Sequence, residues 1–205
     1  YKPLWINRNT PDYRNAIYYL KKRGISIFDI IRYRIGYAES GPYSGKIIIP
    51  SYDSEGQLNY FVSRAFYEHD SYKHKNPKVS KDIIGFDMLI NWNEPITLCE
   101  GAFDAITIKR NAIPLFGKQI NPKLRIKIIE EGVKEIYICL DQDAIKNAKH
   151  IAKTFMTEGI TVHLVKLDKD DPNELGYKKI TEKIHDTYQF SFEELMQMEI
   201  DSLWK

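Results

Sequence analysis

The chain has 205 residues, 43% hydrophobic and 28% charged, enough for one large domain or two small ones around packed cores, which excludes wholesale disorder. No stretch approaches the ~18 uncharged apolar residues of a transmembrane helix, and residues 1–10 lack the basic-then-apolar order of a signal peptide. The formal net charge of +2 conceals an asymmetry: residues 1–90 hold 14 Lys+Arg against 9 Asp+Glu, and residues 91–205 hold 16 against 19. The basic half suits phosphate and the acidic half suits metal. The chain begins at Tyr1 rather than Met and reads as part of something longer. Cys99 and Cys139 both lie in apolar runs. They read as buried thiols of a cytosolic protein, not as a disulfide framework or a zinc site.

In chain order, Thr10-Pro11-Asp12 predicts a helix start, with a capping hydroxyl and a proline at the first helical position. Ala16, Ile17 and Leu20 form its apolar stripe, and Gly24 stops it. Ser26 opens a second short helix with Asp29 completing a capping box, and Ile27, Ile30 and Ile31 are its expected buried face. Residues 46–50 and 57–64 read as strands joined by the turn Asp53-Ser54-Glu55-Gly56. Residues 67–82 are polar, basic and aromatic without a period, as in a surface loop.

From Pro95 the pattern changes. Strands are expected at residues 96–100, 113–116, 135–140 and 161–167, and helices at 102–111, from Asn121-Pro122 to Gly132, and at 144–159. Strands alternating with helices predict a parallel sheet flanked by helices. Ser191-Phe192-Glu193-Glu194 is a capping box opening a last helix, whose Leu195, Met196, Met198 and Leu203 read as packing residues. The expected division is 1–90, a smaller mixed α+β part; 91–176, an α/β domain; and 177–205, a helical extension.

Ligands of open parallel sheets bind beyond the carboxyl ends of the strands. Three expected strands end in acids: Glu100; Asp141 and Asp143; and Asp168, Asp170 and Asp171. Asp104 lies about one helical turn after Glu100 and can face the same place. Two carboxylates ~4 Å apart repel by about 4 kcal/mol at an effective dielectric of ~20, so the group calls for a cation. Hard oxygen ligands suit Mg²⁺ or Mn²⁺, whereas the five histidines show no zinc-ligand spacing with the cysteines.

These acids resemble the pattern of the TOPRIM domain of bacterial-type primases, topoisomerases and some nucleases. Glu100-Gly101-Ala102-Phe103-Asp104 matches its Glu-Gly-x-x-Asp, Asp141-Gln142-Asp143 its Asp-x-Asp, and Asp171-Pro172-Asn173 is similar to the third motif of primases, with Asn173 in place of an acid. Upstream, residues 19–26, Ile35-Gly36-Tyr37-Ala38, residues 48–56 with Phe61-Val62-Ser63-Arg64, and Lys73-His74-Lys75-Asn76-Pro77 resemble a DnaG-type primase core, with His74 replacing a Tyr. The resemblance covers about residues 15–176.

It implies a core that makes short RNA primers on a single-stranded DNA template from ribonucleoside triphosphates. Glu100, Asp104, Asp141 and Asp143 are the catalytic residues it points to, with Glu100, Asp141, Asp143 and Asp171 holding Mg²⁺ or Mn²⁺. Glu100 is either a ligand or a general base. Arg64, Lys73, Lys75, Lys78 and Lys81 are the expected phosphate contacts, with Tyr67 and Tyr72 as stacking platforms. The resemblance also implies a replicative helicase and a zinc-binding domain as partners outside this chain. The diverged motifs suggest a phage or mobile-element member, cytoplasmic in a bacterial cell or an infected host. A metal-dependent nuclease on the same scaffold and a non-catalytic nucleic-acid-binding module are the alternatives.

Overall fold

The computed structural model describes residues 1–68, 70, 72–167 and 170–203, with the side chains of 198, 199 and 201–203 excepted. The chain forms two compact units, Tyr1–Met88 and Leu89–Lys205.

The first unit holds β1 (Lys2–Pro3), α1 (Pro11–Lys22), α2 (Ile27–Arg32), β2 (Gly36–Ala38), β3 (Lys46–Tyr52) and β4 (Leu58–Ala65). Its strands pair antiparallel in the order β1-β2-β3-β4. The Thr10 hydroxyl accepts the Tyr13 N–H at 3.2 Å, as its capping position requires. Helix α1 buries Ala16 and Leu20 and gives way to Gly24 at φ +72°, a left-handed turn that glycine adopts without strain. Ser26 and Asp29 form the expected reciprocal capping box of α2.

The buried face of α2 differs from expectation. Ile30 is 3% exposed, but Ile27 and Ile31 are 49% and 53% exposed. Six residues make fewer than two turns, and the side already turned inward carries Asp29 and Ile30, so Ile27 and Ile31 are left outside. Strands β1 and β2 were not anticipated; at two and three residues they carry no readable alternation.

The second unit contains β5 (Ile96–Cys99), α3 (Ala102–Ile108), β6 (Ala112–Pro114), α4 (Pro122–Glu130), β7 (Glu135–Cys139), α5 (Ile145–Met156), β8 (Thr161–Leu164), α6 (Pro172–His185) and α7 (Phe192–Leu203). Its sheet is parallel throughout, in the order β6-β5-β7-β8. This is the expected parallel α/β arrangement, and Ile96, Leu98, Ile106, Ile108, Ile136 and Phe155 are fully buried in its core. Helix α3 stops three residues early, because Lys109 and Asn111 adopt positive φ.

The start of helix α6 at Pro172 had not been foreseen, although residues 177–185 fall in the expected helical extension. Asp171 caps it, and Gly176 at φ +76° breaks it one turn in, which hides its period. It packs against α3, where the buried Asn173 side chain donates to Thr107 Oγ1 at 2.9 Å. The reciprocal contacts of Ser191 and Glu194 open α7 as expected, with Leu195 buried. Met196 is instead exposed, and the Met198 and Leu203 side chains lie outside the described residues. No described helix is long and apolar enough to cross a membrane.

The Asn173 contact makes a prediction. Asn173→Ala leaves the Thr107 hydroxyl unsatisfied and is expected to cost about 1–2 kcal/mol in urea denaturation. Asn173→Asp, which adds a buried acid close to Asp104, is expected to cost more at pH 8 than at pH 5. A neutral Asn173→Ala contradicts the tether.

Candidate metal centre and nucleic-acid interface

Strands β5 and β7 are neighbours with Cys99 opposite Cys139. Parallel neighbours run about 4.8 Å apart, so residues just past their ends meet at one rim of the sheet. Glu100 and Asp141 are those residues, and the Asp141 backbone N–H donates to Glu100 Oε1 at 3.2 Å. Asp143 follows in a short 3-10 turn. One carboxylate oxygen from each of Glu100, Asp141 and Asp143 lies within 4.8 Å of the others.

Burial, and then the Asp141 charge, raises the Glu100 carboxyl. Burial, and then Asp171 and Asp143, raises that of Asp141. Asp141 Oδ1 is buried and accepts no hydrogen bond from the described residues. A buried acceptor without a partner is costly, and a cation bound to the Asp141 carboxylate would offset both that cost and the repulsion.

The other expected acids lie outside this 4.8 Å group but close enough for Asp171 to raise the Asp141 carboxyl. Asp104 is 9% exposed, and its Oδ2 accepts the Gly101 N–H at 2.9 Å, so it caps α3 from within. Burial first, then Asp171 and Asp141, pushes its carboxyl up to about 7. Asp171 Oδ1 accepts the Glu174 N–H at 2.7 Å and caps α6. Asp170 is exposed, and Asp168 lies outside the described residues. Cys99 and Cys139 are free, buried thiols.

One residue at this rim was not anticipated. Lys118 follows Gly117 in the turn after β6, and its Nζ lies 2.5 Å from Asp143 Oδ2. Its only sequence signal was its place two residues after the expected apolar strand 113–116.

The basic residues belong to the first unit. Arg64 on β4 donates through Nε to the Tyr19 hydroxyl at 3.1 Å, and its Nη1 is 3.2 Å from His74 Nδ1. Arg23 donates to the same hydroxyl at 2.8 Å, so two guanidinium groups converge on one phenol. Arg23 was missed because a single cation in a basic helix end carries no pattern. Lys75 Nζ donates to the Pro42 carbonyl at 2.7 Å and lies 5.6 Å from the Tyr43 ring centre. Lys73, Lys78 and Lys81 are exposed.

The Tyr67 ring packs on Phe66 and its hydroxyl donates to Asp12 at 2.5 Å. Tyr72 is 74% exposed, as a platform would need. The loop is held by an unanticipated buried cation, Lys46, whose Nζ reaches Asp70 at 2.5 Å and the Tyr72 carbonyl at 2.7 Å. Residues 69 and 71 of this loop are outside the described residues.

No family model matches the chain. It is 28% identical over 167 residues to the uncharacterised protein MG010 of Mycoplasma genitalium, covering 74% of this chain and 73% of that one. Among solved structures it is similar to the E. coli primase catalytic core, with a TM-score of 0.75 and 18% identity, covering 95% of this chain and 78% of that one. The DnaG primase catalytic domain bound to single-stranded DNA matches with a TM-score of 0.74 and 18% identity, over 88% of this chain and 76% of that one. The chain has the fold of a DnaG-type primase catalytic core. In this primase-core fold the acid-bearing rim belongs to the parallel sheet and the paired arginines to the antiparallel unit.

The buried Asp104 makes the metal-free protein pH-sensitive. Its folded pKa of about 7 lies above the unfolded carboxyl value of about 3.9, so the folded chain holds an extra proton between the two. This group's contribution to stability is therefore fully present below about pH 4 and falls as pH rises through 7. Asp104→Asn keeps an acceptor for Gly101 without the charge. Its stability relative to the parent is expected to improve by about 2–3 kcal/mol between pH 5 and pH 8 in chelator, measured by thermal unfolding. A difference independent of pH contradicts the assignment.

Proposed function

We propose that the chain is the RNA-polymerase core of a primase, joining ribonucleotides into short primers on single-stranded DNA by divalent-metal-dependent nucleotidyl transfer. The observation that carries this reading is the meeting of Glu100, Asp141 and Asp143, with Asp141 Oδ1 buried and unpartnered among the described residues, in a primase-core fold. The donor set fits the metal: all three side chains offer hard carboxylate oxygens, as Mg²⁺ or Mn²⁺ prefers.

On this reading residues 91–176 are a TOPRIM catalytic domain, residues 1–90 a basic template-holding subdomain, and residues 177–205 a C-terminal helical extension. Glu100, Asp141 and Asp143 supply ligand oxygens, and the second oxygen of Glu100 accepts the proton of the primer 3′-hydroxyl. Asp104 and Asp171 hold the turns that carry these groups and add negative charge behind them. The 3′-oxygen forms a bond to the α-phosphorus of the incoming nucleotide as the bond to pyrophosphate breaks. Divalent ions held there would acidify the 3′-hydroxyl and neutralise the charge developing on the phosphates.

Arg64 and Arg23, gathered at Tyr19, pair with phosphate, and the exposed Lys73, Lys75, Lys78 and Lys81 extend the positive surface. Tyr72 offers a ring on which an unstacked base can rest. A replicative helicase and a zinc-binding domain are the partners this reading gives the chain.

Asp141→Asn and Glu100→Gln are each expected to lower template-dependent primer synthesis at least about 100-fold while leaving the fold intact by circular dichroism. Near-normal synthesis by either variant contradicts the proposal. Labelled DNA incubated with Mg²⁺ and no nucleotide should stay whole; cleavage would make the centre a nuclease. Arg64→Ala is expected to weaken single-strand binding about fivefold and to flatten its salt dependence. Unchanged affinity and an unchanged salt slope would remove Arg64 from the interface.

A further inference from the structure

The ammonium of Lys118 touches the acidic trio at Asp143. Two local features put it there. The Gly117 N–H donates to the Glu100 carbonyl at 3.3 Å, which ties the turn after β6 to the end of β5. Lys118 then reaches across the rim to Asp143, leaving a 2.5 Å contact in which both side chains stay accessible, at 41% and 71%. The ammonium also feels Glu100 and Asp141.

Exposed ion pairs of this kind contribute little to stability, so the pairing has little value as a fold element. Its position has more. Asp143 must give an oxygen to a divalent ion if the trio is a metal centre, and an ammonium bound to that carboxylate competes with the ion for it. The displaced side chain is a flexible four-carbon stem ending in three donors, at a rim that receives a nucleoside triphosphate.

We propose that Lys118 is a phosphate-positioning residue held in reserve on Asp143: a divalent ion displaces it from that carboxylate, and the released ammonium then contacts the phosphates of the incoming nucleotide. This rests on the primase reading for its substrate but not for its first step, which concerns the metal alone.

The test separates the two. Mn²⁺ binding to the full chain is titrated without nucleotide or DNA, by the loss of the free-ion electron paramagnetic resonance signal. Lys118→Ala removes the competitor and is expected to tighten Mn²⁺ binding about three- to tenfold. The affinity for a non-hydrolysable ribonucleoside triphosphate is then measured in saturating Mn²⁺. Lys118→Ala is expected to weaken it at least about fivefold. Lys118→Arg should restore most of it, whereas single-strand DNA affinity stays unchanged. In the synthesis assay the alanine variant raises the nucleotide KM more than it lowers kcat.

Mn²⁺ affinity that is unchanged or weaker in Lys118→Ala overturns the displacement. Tighter Mn²⁺ with unaltered nucleotide affinity overturns the phosphate role. Should the parent make no primers, the polymerase reading fails while both binding measurements still decide the role of Lys118.

Discussion

Mutual repulsion among carboxylates is the constraint on which this molecule turns. The parallel register of β5 and β7 sets Cys99 opposite Cys139 and so brings Glu100 and Asp141 to the same rim. Burial raises both carboxyls, and one oxygen of Asp141 is left without a partner among the described residues. A fold selected for stability alone would not keep acids this close without a cation, since neutral side chains of similar size avoid the repulsion. The strain is local and purposeful if the missing positive charge arrives with the substrate.

The surroundings of the trio keep it in place. Asp104 caps α3 and Asp171 caps α6, so two helices begin at the acidic rim with their N-termini toward it. Helix N-termini favour negative charge, which offsets part of the repulsion. Asn173 joins these helices through Thr107 with a neutral amide. A third acid at that buried position would add charge where two carboxyls are already raised by burial and by each other. The departure from the usual primase motif at 173 thus has a physical account: the position serves packing.

Much of this was legible beforehand because it depends on local signals. A capping side chain followed by proline announced α1 and α4, capping boxes announced α2 and α7, and short apolar runs between polar turns announced β3 to β8. The order of these elements carried the parallel sheet. What was hidden depends on tertiary placement. The outward turn of Ile27 and Ile31, the glycine break in α6 and the anchoring of Tyr67 by Asp12 cannot be read from spacing. At the acidic rim, sequence put forward Glu100, Asp104, Asp141, Asp143 and Asp171 as site residues. The register of two strands sorts them into a converging trio and two helix caps, and it adds Lys118, which had no motif.

The account stands on one physical claim, that the trio is built to share a divalent cation. Crystals soaked in Mn²⁺ with a ribonucleoside triphosphate test it directly through anomalous scattering. The expected result is a Mn²⁺ peak in contact with oxygens of Glu100, Asp141 and Asp143, Asp141 Oδ1 among them. Well-ordered crystals with nucleotide bound and no anomalous peak at this rim would contradict it.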